Sequence, residues 1–330
     1  MINQVIINNN YGESLTIKLP QTEPTHGLFI TEIEGLGPVK ANINMREVAT
    51  RSGATYISSR AESRDIVFHV LYLGNNDGVS AEDARLTTYK FFPLGEKITL
   101  TFYTENRTAR TTGYVESNEP DIFSDEIAGA SITVSCPSAW FTLVGSDKKD
   151  TFIISDLVSE FEFEFEDPVE ALPDGSIIFS SIDTGAEHII EYDGEVETGM
   201  IIKIICDTKD LHERVSMPTI YNLETGEYIK IDTDIIEKLV NPGWKPGDLY
   251  QTCMDGNEIW ISTYIRNKYV RYYHEYGTSY GGRYNALSAL TLDSSWLKIH
   301  PGKNKFSYTC EEGELNLDII ITTDVLVTGV

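Results

Sequence analysis

The sequence predicts a mainly β protein of two domains, and three observations lead to that prediction. The chain has 330 residues, 41% of them apolar, which suggests two domains rather than one and is too apolar for a disordered chain. Short apolar runs recur along it, separated by glycine-containing turns, a pattern typical of antiparallel sheets. Residues 1–145 carry 11 basic and 17 acidic side chains, whereas residues 146–330 carry 15 and 34. We therefore expect domains at 1–145 and 146–330.

The first half contains three segments with the period-two alternation of half-buried strands. Their apolar positions are Ile66, Phe68, Val70 and Tyr72, then Ile98, Leu100 and Phe102, then Ile132, Val134 and Cys136. The segment 40–63 is polar and lacks strong periodicity, which predicts an extended loop or a hairpin that projects from the sheet. The first half thus reads as a sheet of half-buried strands with a projecting segment.

One helix is predicted between the first two of these strands. Ser80 can cap it and Asp83 stands three positions later, as in a capping box. Pro93 and Gly95 end the helix. The side chains expected along one side of it are Leu86, Tyr89 and Phe92.

The second half predicts a β-sandwich or jelly roll. The segment 160–166 (EFEFEFE) is the clearest strand, because a period of two places its phenylalanines on one face and its glutamates on the other. Further apolar runs lie at 177–179, 189–192, 200–206, 228–231, 259–261, 296–299, 306–310 and 315–321, and turn signals lie at 174–175, 193–194, 225–226, 255–256 and 312–313.

Charge and segment patterns exclude several classes of function. The net charge of −25 argues against stable binding to nucleic acid, which requires a basic face. No apolar run is long enough to cross a membrane, and the N-terminus predicts no signal peptide.

The four cysteines, Cys136, Cys206, Cys253 and Cys310, are tens of residues apart. They are predicted to be reduced rather than metal-bound or paired.

The segment 277–281 (GTSYG) matches the nucleophile elbow of serine hydrolases, and Asp293 and His300 follow it in the hydrolase order. The elbow requires a strand, a strained turn and a helix in an α/β sheet. This segment lies instead in a tyrosine-rich loop of a β domain. The prediction is therefore that Ser279 is not a nucleophile, that the chain has no catalytic residues and that the protein is not an enzyme.

Metal and cofactor sites are not predicted either. The histidines are isolated, with no pair at metal-ligand spacing: they are His26, His69, His188, His212, His274 and His300. Two acidic groups offer oxygen ligands for Ca²⁺, namely Asp232, Asp234 and Glu237, and Asp255 with Glu258. Neither has the spacing of a calcium loop, so the metal and cofactor predictions are "none".

Aromatic residues are concentrated in the loops of the second half. They suit either stacking on sugars or a protein interface, and the sequence leaves both open. These residues are Trp244, Trp260, Tyr264, Tyr269, Tyr272, Tyr273, Tyr280 and Tyr284.

The order of segments along nearly the whole chain resembles the distal tail (Dit) proteins of long non-contractile-tailed bacteriophages. In the first half the matching segments are 64–68 (RDIVF), 83–86 (DARL), 98–102 (ITLTF), 112–116 (TGYVE), 132–137 (ITVSCP) and 140–141 (WF). In the second half they are 192–199 (YDGEVETG), 222–227 (NLETGE), 246–248 (PGD), 258–263 (EIWIST), 285–287 (NAL), 294–304 (SSWLKIHPGKN) and 306–308 (FSY).

The resemblance implies a structural protein of the virion, made and assembled in the host cytoplasm. It implies a homo-hexameric ring at the tail tip or baseplate, with an N-terminal β-sandwich that bears one helix and a projecting hairpin, and a galectin-like C-terminal β-sandwich. The implied partners are the tail tube protein, the tail-tip protein and, in many members, a receptor-binding protein. The alternative is a carbohydrate-binding, lectin-like protein that attaches to cell-wall saccharide.

Overall fold

The structure, a computed structural model, describes residues 1–47, 52–73, 78–121, 128–145, 150–154, 157–159, 180–182, 187–207, 214–274, 282–313 and 316–330. The chain divides into two compact units, Met1–Lys148 with Val325–Val330, and Lys149–Asp324. The last six residues, expected in the second domain, thus belong to the first unit. The reason is that a C-terminal strand, Leu326–Val327, pairs with Phe141–Leu143.

Strands dominate both units. In chain order the elements are β1 (Ile2–Asn8), β2 (Ser14–Lys18), β3 (Leu28–Glu34), β4 (Ala41–Glu47), β5 (Ala54–Ala61), β6 (Arg64–Tyr72), α1 (Ala81–Phe91), β7 (Lys97–Thr104), β8 (Thr108–Asp121), β9 (Gly129–Cys136), β10 (Phe141–Leu143), β11 (Thr151–Ile154), β12 (Leu157–Ser159), β13 (Ser180–Ile182), β14 (His188–Tyr192), β15 (Ile201–Cys206), β16 (Thr219–Asn222), β17 (Tyr228–Lys230), α2 (Thr233–Val240), β18 (Glu258–Ser262), β19 (Tyr269–His274), β20 (Gly282–Asn285), a 3₁₀ turn (Leu287–Ala289), β21 (Gly302–Thr309), β22 (Leu317–Thr322) and β23 (Leu326–Val327).

The first unit is built on one antiparallel sheet in the order β2-β1-β7-β8-β9-β6-β3, with β10 beside β8 and β23 beside β10. The three predicted strands are confirmed as β6, β7 and β9, and every apolar position named for them is buried. Alternate residues of these strands face one hydrophobic core, which also takes in β1, β2 and the start of β3. The segment predicted as a loop or hairpin is a separate two-stranded hairpin, β4–β5.

Helix α1 has the predicted capping box, in which Ser80 Oγ accepts from the Asp83 N–H and the Asp83 side chain accepts from the Ser80 N–H. The prediction for its apolar side is only partly right. The helix buries Ala84, Thr88 and Phe91, whereas Leu86 and Tyr89 are 52% and 41% exposed. Ala84 and Thr88 are accommodated where the helix lies close to the sheet: the Tyr72 hydroxyl is 3.4 Å from Thr88 Oγ1.

The second unit contains two larger sheets, β11-β22-β15-β18-β19-β20 and β14-β21-β16-β17, and a small β12-β13 pair. The apolar runs near 189, 200, 228, 259, 306 and 317 form strands as predicted. The run at 296–299 does not, and Ile299 makes only an isolated bridge with Thr198. The predicted strands at 160–166 and 177–179 lie outside the described residues. The mainly β prediction is confirmed.

Helix α2 was not predicted. Asp232 caps it, since its Oδ1 accepts from the N–H groups of Asp234 and Ile235 at 3.0 and 3.2 Å. The helix has only eight residues, so its apolar periodicity covers two turns and is too short to stand out.

Candidate functional site: the exposed hairpin of the first unit

The β4–β5 hairpin has no core behind it. Every side chain of β4, and every side chain of β5 except Ala61, is exposed. In the described part of the chain the two strands pair only with each other, so both outer edges carry open backbone groups. A lone two-stranded hairpin is marginally stable in water. Strands of seven and eight residues extend about 25 Å at 3.3 Å per residue. The hairpin is therefore a long arm suited to contact another surface.

The two faces of the hairpin differ in polarity. Strand register places Ile43 opposite Ser59, and Met45 opposite Tyr56. Because side chains alternate along a strand, Ile43 and Met45 share one face, and with Tyr56 they make it apolar. These three side chains are 50%, 56% and 60% exposed. On the other face, Asn42 and Asn44 of β4 lie opposite Arg60 and Ser58 of β5. Ile57, which is 54% exposed, lies at the register shift between Asn44 and Met45.

A buried arginine contacts the root of the hairpin, by which we mean the segments that join the hairpin to β3 and to β6. Arg64, the first residue of β6, is 1% exposed. Its Nη1 donates to the carbonyl oxygens of Gly35 and Gly37, which lie between β3 and β4. Its Nη2 donates to Ala139 O at 2.9 Å and to Thr328 O at 2.7 Å. Burial lowers the pKa of the Arg64 guanidinium. One side chain thus ties the hairpin root to the segment before β10 and to the C-terminus.

Two further features hold this root. The Arg64 guanidinium lies 4.2 Å from the centroid of the Phe141 ring, a cation–π distance. Gly35 has φ +81°, and a Cβ there would lie 2.0 Å from Asp65 O. Sequence analysis missed the role of Arg64. One signal was present in the sequence. Because side chains alternate along a strand, Arg64 shares the face of β6 that holds the buried Ile66 and Phe68.

An apolar groove lies at the edge of the same unit. It has a volume of about 340 Å³ and is lined by Ile2, Leu19, Pro20, Gln21, Phe29, Ile30, Thr31, Glu32, Ile33 and Leu36. Most of these residues belong to β3 or follow β2, the two strands that end the sheet order. Among the described residues, the groove therefore lies beside the two terminal strands of this sheet.

The hydrolase hypothesis gains no support from the described residues. Ser279 and the rest of 277–281 lie outside them. Asp293 accepts a hydrogen bond from the Tyr228 hydroxyl, and His300 Nδ1 is 3.1 Å from Glu197 Oε2. Asp293 and His300 thus have other partners.

The acidic groups considered for calcium have structural roles. Asp232 caps α2, and Asp234 pairs with Arg214 at 2.9 Å. Glu237 is fully buried, and its Oε2 accepts from the Gln251 and Thr252 N–H groups, each at 2.9 Å. In the second group, Glu258 pairs with Lys203 at 2.8 Å. Asp255 lies in the exposed turn before β18.

Three ligand-type side chains come together among the described residues: Glu32, Glu34 and His69 lie with ligand atoms within 4.8 Å of one another. They are exposed or half-exposed on β3 and β6, and His69 Nε2 is 3.1 Å from Glu34 Oε1. All four cysteines are free, and burial raises the pKa of Cys136 to about 11. In the described parts of the chain, no helix is long and apolar enough to cross a membrane.

The structure separates the aromatic residues of the second unit into two groups. Trp244 is 4% exposed and Tyr272 is fully buried. Tyr272 donates to Asn257 Oδ1 at 2.6 Å, and burial raises its pKa. These two rings belong to the core and cannot stack on a sugar. Tyr280 lies outside the described residues. The remaining five are half-buried, and Trp260 and Tyr273 contact each other with ring centroids 5.2 Å apart.

No protein-family model and no curated protein matches the sequence. Solved structures do match the fold. The Dit protein of phage SPP1, described as a paradigm of the hub adsorption apparatus in phages that infect Gram-positive bacteria, aligns with TM-score 0.60 and 11% identity, over 97% of this chain and 98% of that one.

Two structures of the phage p2 baseplate in its activated conformation also match. The one with Sr aligns with TM-score 0.42 and 10% identity, over 97% of each chain. The one with Ca aligns with TM-score 0.44 and 10% identity, over 98% of this chain and 97% of that one. The alignment with the SPP1 protein extends through both units. The resemblance noted in the sequence is thereby confirmed at the level of structure, and this chain has a Dit-like fold.

Proposed function

We propose that the protein is the distal tail protein of a bacteriophage or of a related tail-like particle. In this proposal it forms a homo-hexameric ring at the tail tip or baseplate. The ring joins the tail tube protein to the tail-tip protein, and in some particles to a receptor-binding protein. Its function is structural, without catalysis or a cofactor. The observation that carries the proposal is the Dit-like fold over 97% of the chain.

The exposed hairpin supports the same function on physical grounds. Apolar side chains such as Ile43, Met45 and Tyr56 are half or more exposed in the single chain. Burying such side chains against a partner stabilises an assembly by roughly 25 cal/mol per Å² of apolar surface removed from water. Arg64 and Gly35 restrain the segments at the hairpin root before any partner binds. A pre-organised arm loses less conformational entropy on assembly.

The test is the mass of the purified protein by mass photometry and native mass spectrometry. We expect particles of six copies of the 37.0 kDa chain. A variant with residues 41–61 replaced by a short Gly-Ser turn should be monomeric. The matched control is Ile189→Ser, which removes a 59% exposed apolar side chain from the second unit and should leave the hexamer intact.

A protein that stays monomeric at every concentration, alone and when mixed with tail tube and tail-tip proteins, contradicts the proposal. A second test uses the virion. Antibodies against the protein should label one end of the tail in electron micrographs, and labelling of the capsid or along the tail would also contradict it.

A further inference from the structure

We infer that Glu32, Glu34 and His69 form a binding site for one divalent transition-metal ion, and that Zn²⁺ is the ion it fits best. The three side chains lie on adjacent strands of the first unit, Glu32 and Glu34 on β3 and His69 on β6. Their ligand atoms, two carboxylate oxygens and an imidazole nitrogen, all lie within 4.8 Å of one another. Because all three ligands come from one chain, the inference does not rest on the proposed ring.

A β-bulge brings the three side chains to the same face of the sheet. The register of β3 with β6 shifts between Ile30 and Glu32, and Glu32 then lies opposite His69. Thr31 is therefore an extra residue in β3, and its Oγ1 donates to His69 O at 3.1 Å. Without this residue, strict alternation from the buried Ile30 would turn Glu32 towards the core. With it, Glu32 and Glu34 lie on the outer face, as His69 does, and such re-aiming of side chains is a typical use of bulges.

The two carboxylates of the cluster lack a full counter-charge. Negative side chains that lie side by side on a sheet repel each other, and neither glutamate pairs with a lysine or arginine in the described part of the chain. His69 Nε2 lies 3.1 Å from Glu34 Oε1, so one imidazole faces two carboxylates. A divalent ion among the three ligands would attract both carboxylates at once. The net charge of −25 also draws cations to the chain as a whole.

The ligand set favours Zn²⁺ over Ca²⁺ and Mg²⁺. Zn²⁺ binds histidine nitrogen and glutamate oxygen at about 2.0–2.2 Å, whereas Ca²⁺ and Mg²⁺ prefer oxygen ligands alone. The side chains are exposed or half-exposed, so small rotamer changes can bring the ligand atoms to these distances. Three protein ligands leave the fourth position of a tetrahedral ion to water. Bound there, the ion would link the terminal strand β3 to β6, a structural role that requires no catalysis.

The test is isothermal titration calorimetry of the tag-free full chain with zinc chloride alone, combined with hydrogen exchange to locate the bound ion. We expect one Zn²⁺ per chain and slower exchange in peptides from β3 and β6. The site variants are His69→Gln and Glu32→Gln, each of which removes one ligand. The matched controls are His188→Gln, at another half-exposed histidine, and Glu116→Gln, at another exposed glutamate of the first unit.

The site variants should bind Zn²⁺ more weakly than the controls. Loss of an outer-shell partner typically weakens metal binding about 10–100-fold, so loss of a direct ligand should weaken it by at least about tenfold. Both controls should bind Zn²⁺ as the wild-type chain does. The inference is overturned if the folded wild-type chain binds no Zn²⁺, or if site and control variants bind it equally. It is also overturned if Ca²⁺ binds as tightly as Zn²⁺ and His69→Gln leaves that binding unchanged. None of these results bears on the ring, which mass photometry tests separately.

Discussion

Replacing Arg64 with methionine tests whether the buried guanidinium holds the hairpin root. Methionine has a similar reach but no donor. The Arg64→Met chain therefore loses the hydrogen bonds that the guanidinium makes to carbonyl oxygens of Gly35, Gly37, Ala139 and Thr328.

The expected cost follows from these contacts. Each of these bonds joins a charged donor to a carbonyl oxygen, and such a bond contributes about 1.5–3 kcal/mol. Removing a buried charge offsets part of that sum, because the charge no longer has to be desolvated. We expect the free energy of unfolding of the first unit to fall by about 3–5 kcal/mol. Arg64→Lys should be intermediate, because one ammonium cannot reproduce the planar fork that reaches several carbonyls.

The measurement is hydrogen exchange read peptide by peptide along a urea series, which separates the first unit from the second. The matched control is Arg110→Met, an exposed arginine on β8, which should change stability by no more than about 0.5 kcal/mol. Peptides from β3, β6 and β10 should lose protection first in Arg64→Met. A loss of less than about 1 kcal/mol, equal to the control, would refute the reasoning about the root.

Three further predictions concern local features. Ser80→Ala removes the cap of α1 and should lower the stability of the first unit by about 1 kcal/mol in urea unfolding, and an unchanged midpoint would contradict the role of the capping box. Gly35→Ala should make the hairpin sensitive to limited proteolysis, because the added Cβ would lie 2.0 Å from Asp65 O. The control is Gly53→Ala, since Gly53 has a similar positive φ but open space around a Cβ. Equal cleavage of both variants would count against the steric argument. Burial raises the pKa of Tyr264 to about 12 from an unfolded value near 10, so the folded chain holds the hydroxyl proton of Tyr264 more tightly than the unfolded chain does. The stability that this protonated hydroxyl contributes is present below about pH 10 and is lost as the pH rises from about 10 to about 12. In Tyr264→Phe the alkaline loss of stability should be shallower, and parallel pH curves would exclude this linkage.

Sequence reasoning succeeded where side-chain periodicity and local capping determine structure. The alternation in β6, β7 and β9 is strict, because one face of each strand is buried, and the capping box of α1 depends on residues three positions apart. Both signals are local. The hairpin was predicted more weakly, since an arm without a core has no buried face to impose a period.

Other features depend on contacts between distant residues and were missed for that reason. Arg64 binds Thr328, which is 264 positions away. The alternation of β6 places Arg64 on the buried face, but it does not identify this partner. The buried side of α1 was misassigned because the close approach of the helix to β6 selects Ala84 and Thr88 over the larger Leu86. Trp244 and Tyr272 resemble surface aromatics in sequence, yet both are buried in the second unit.

The pairing of β10 with β23 has a consequence for how such chains diversify. The chain leaves the first unit after β10 and returns to it at β23, and these two strands are antiparallel neighbours, with Phe141 opposite Val327. The 149–324 unit is thus inserted between two strand ends that lie side by side, an arrangement that tolerates domain insertion. A short turn could close the gap in its place, and a different module could be spliced there without altering the arm, its root or the groove. Recombination at this junction would exchange the whole inserted unit and leave the β4–β5 hairpin and its root unchanged.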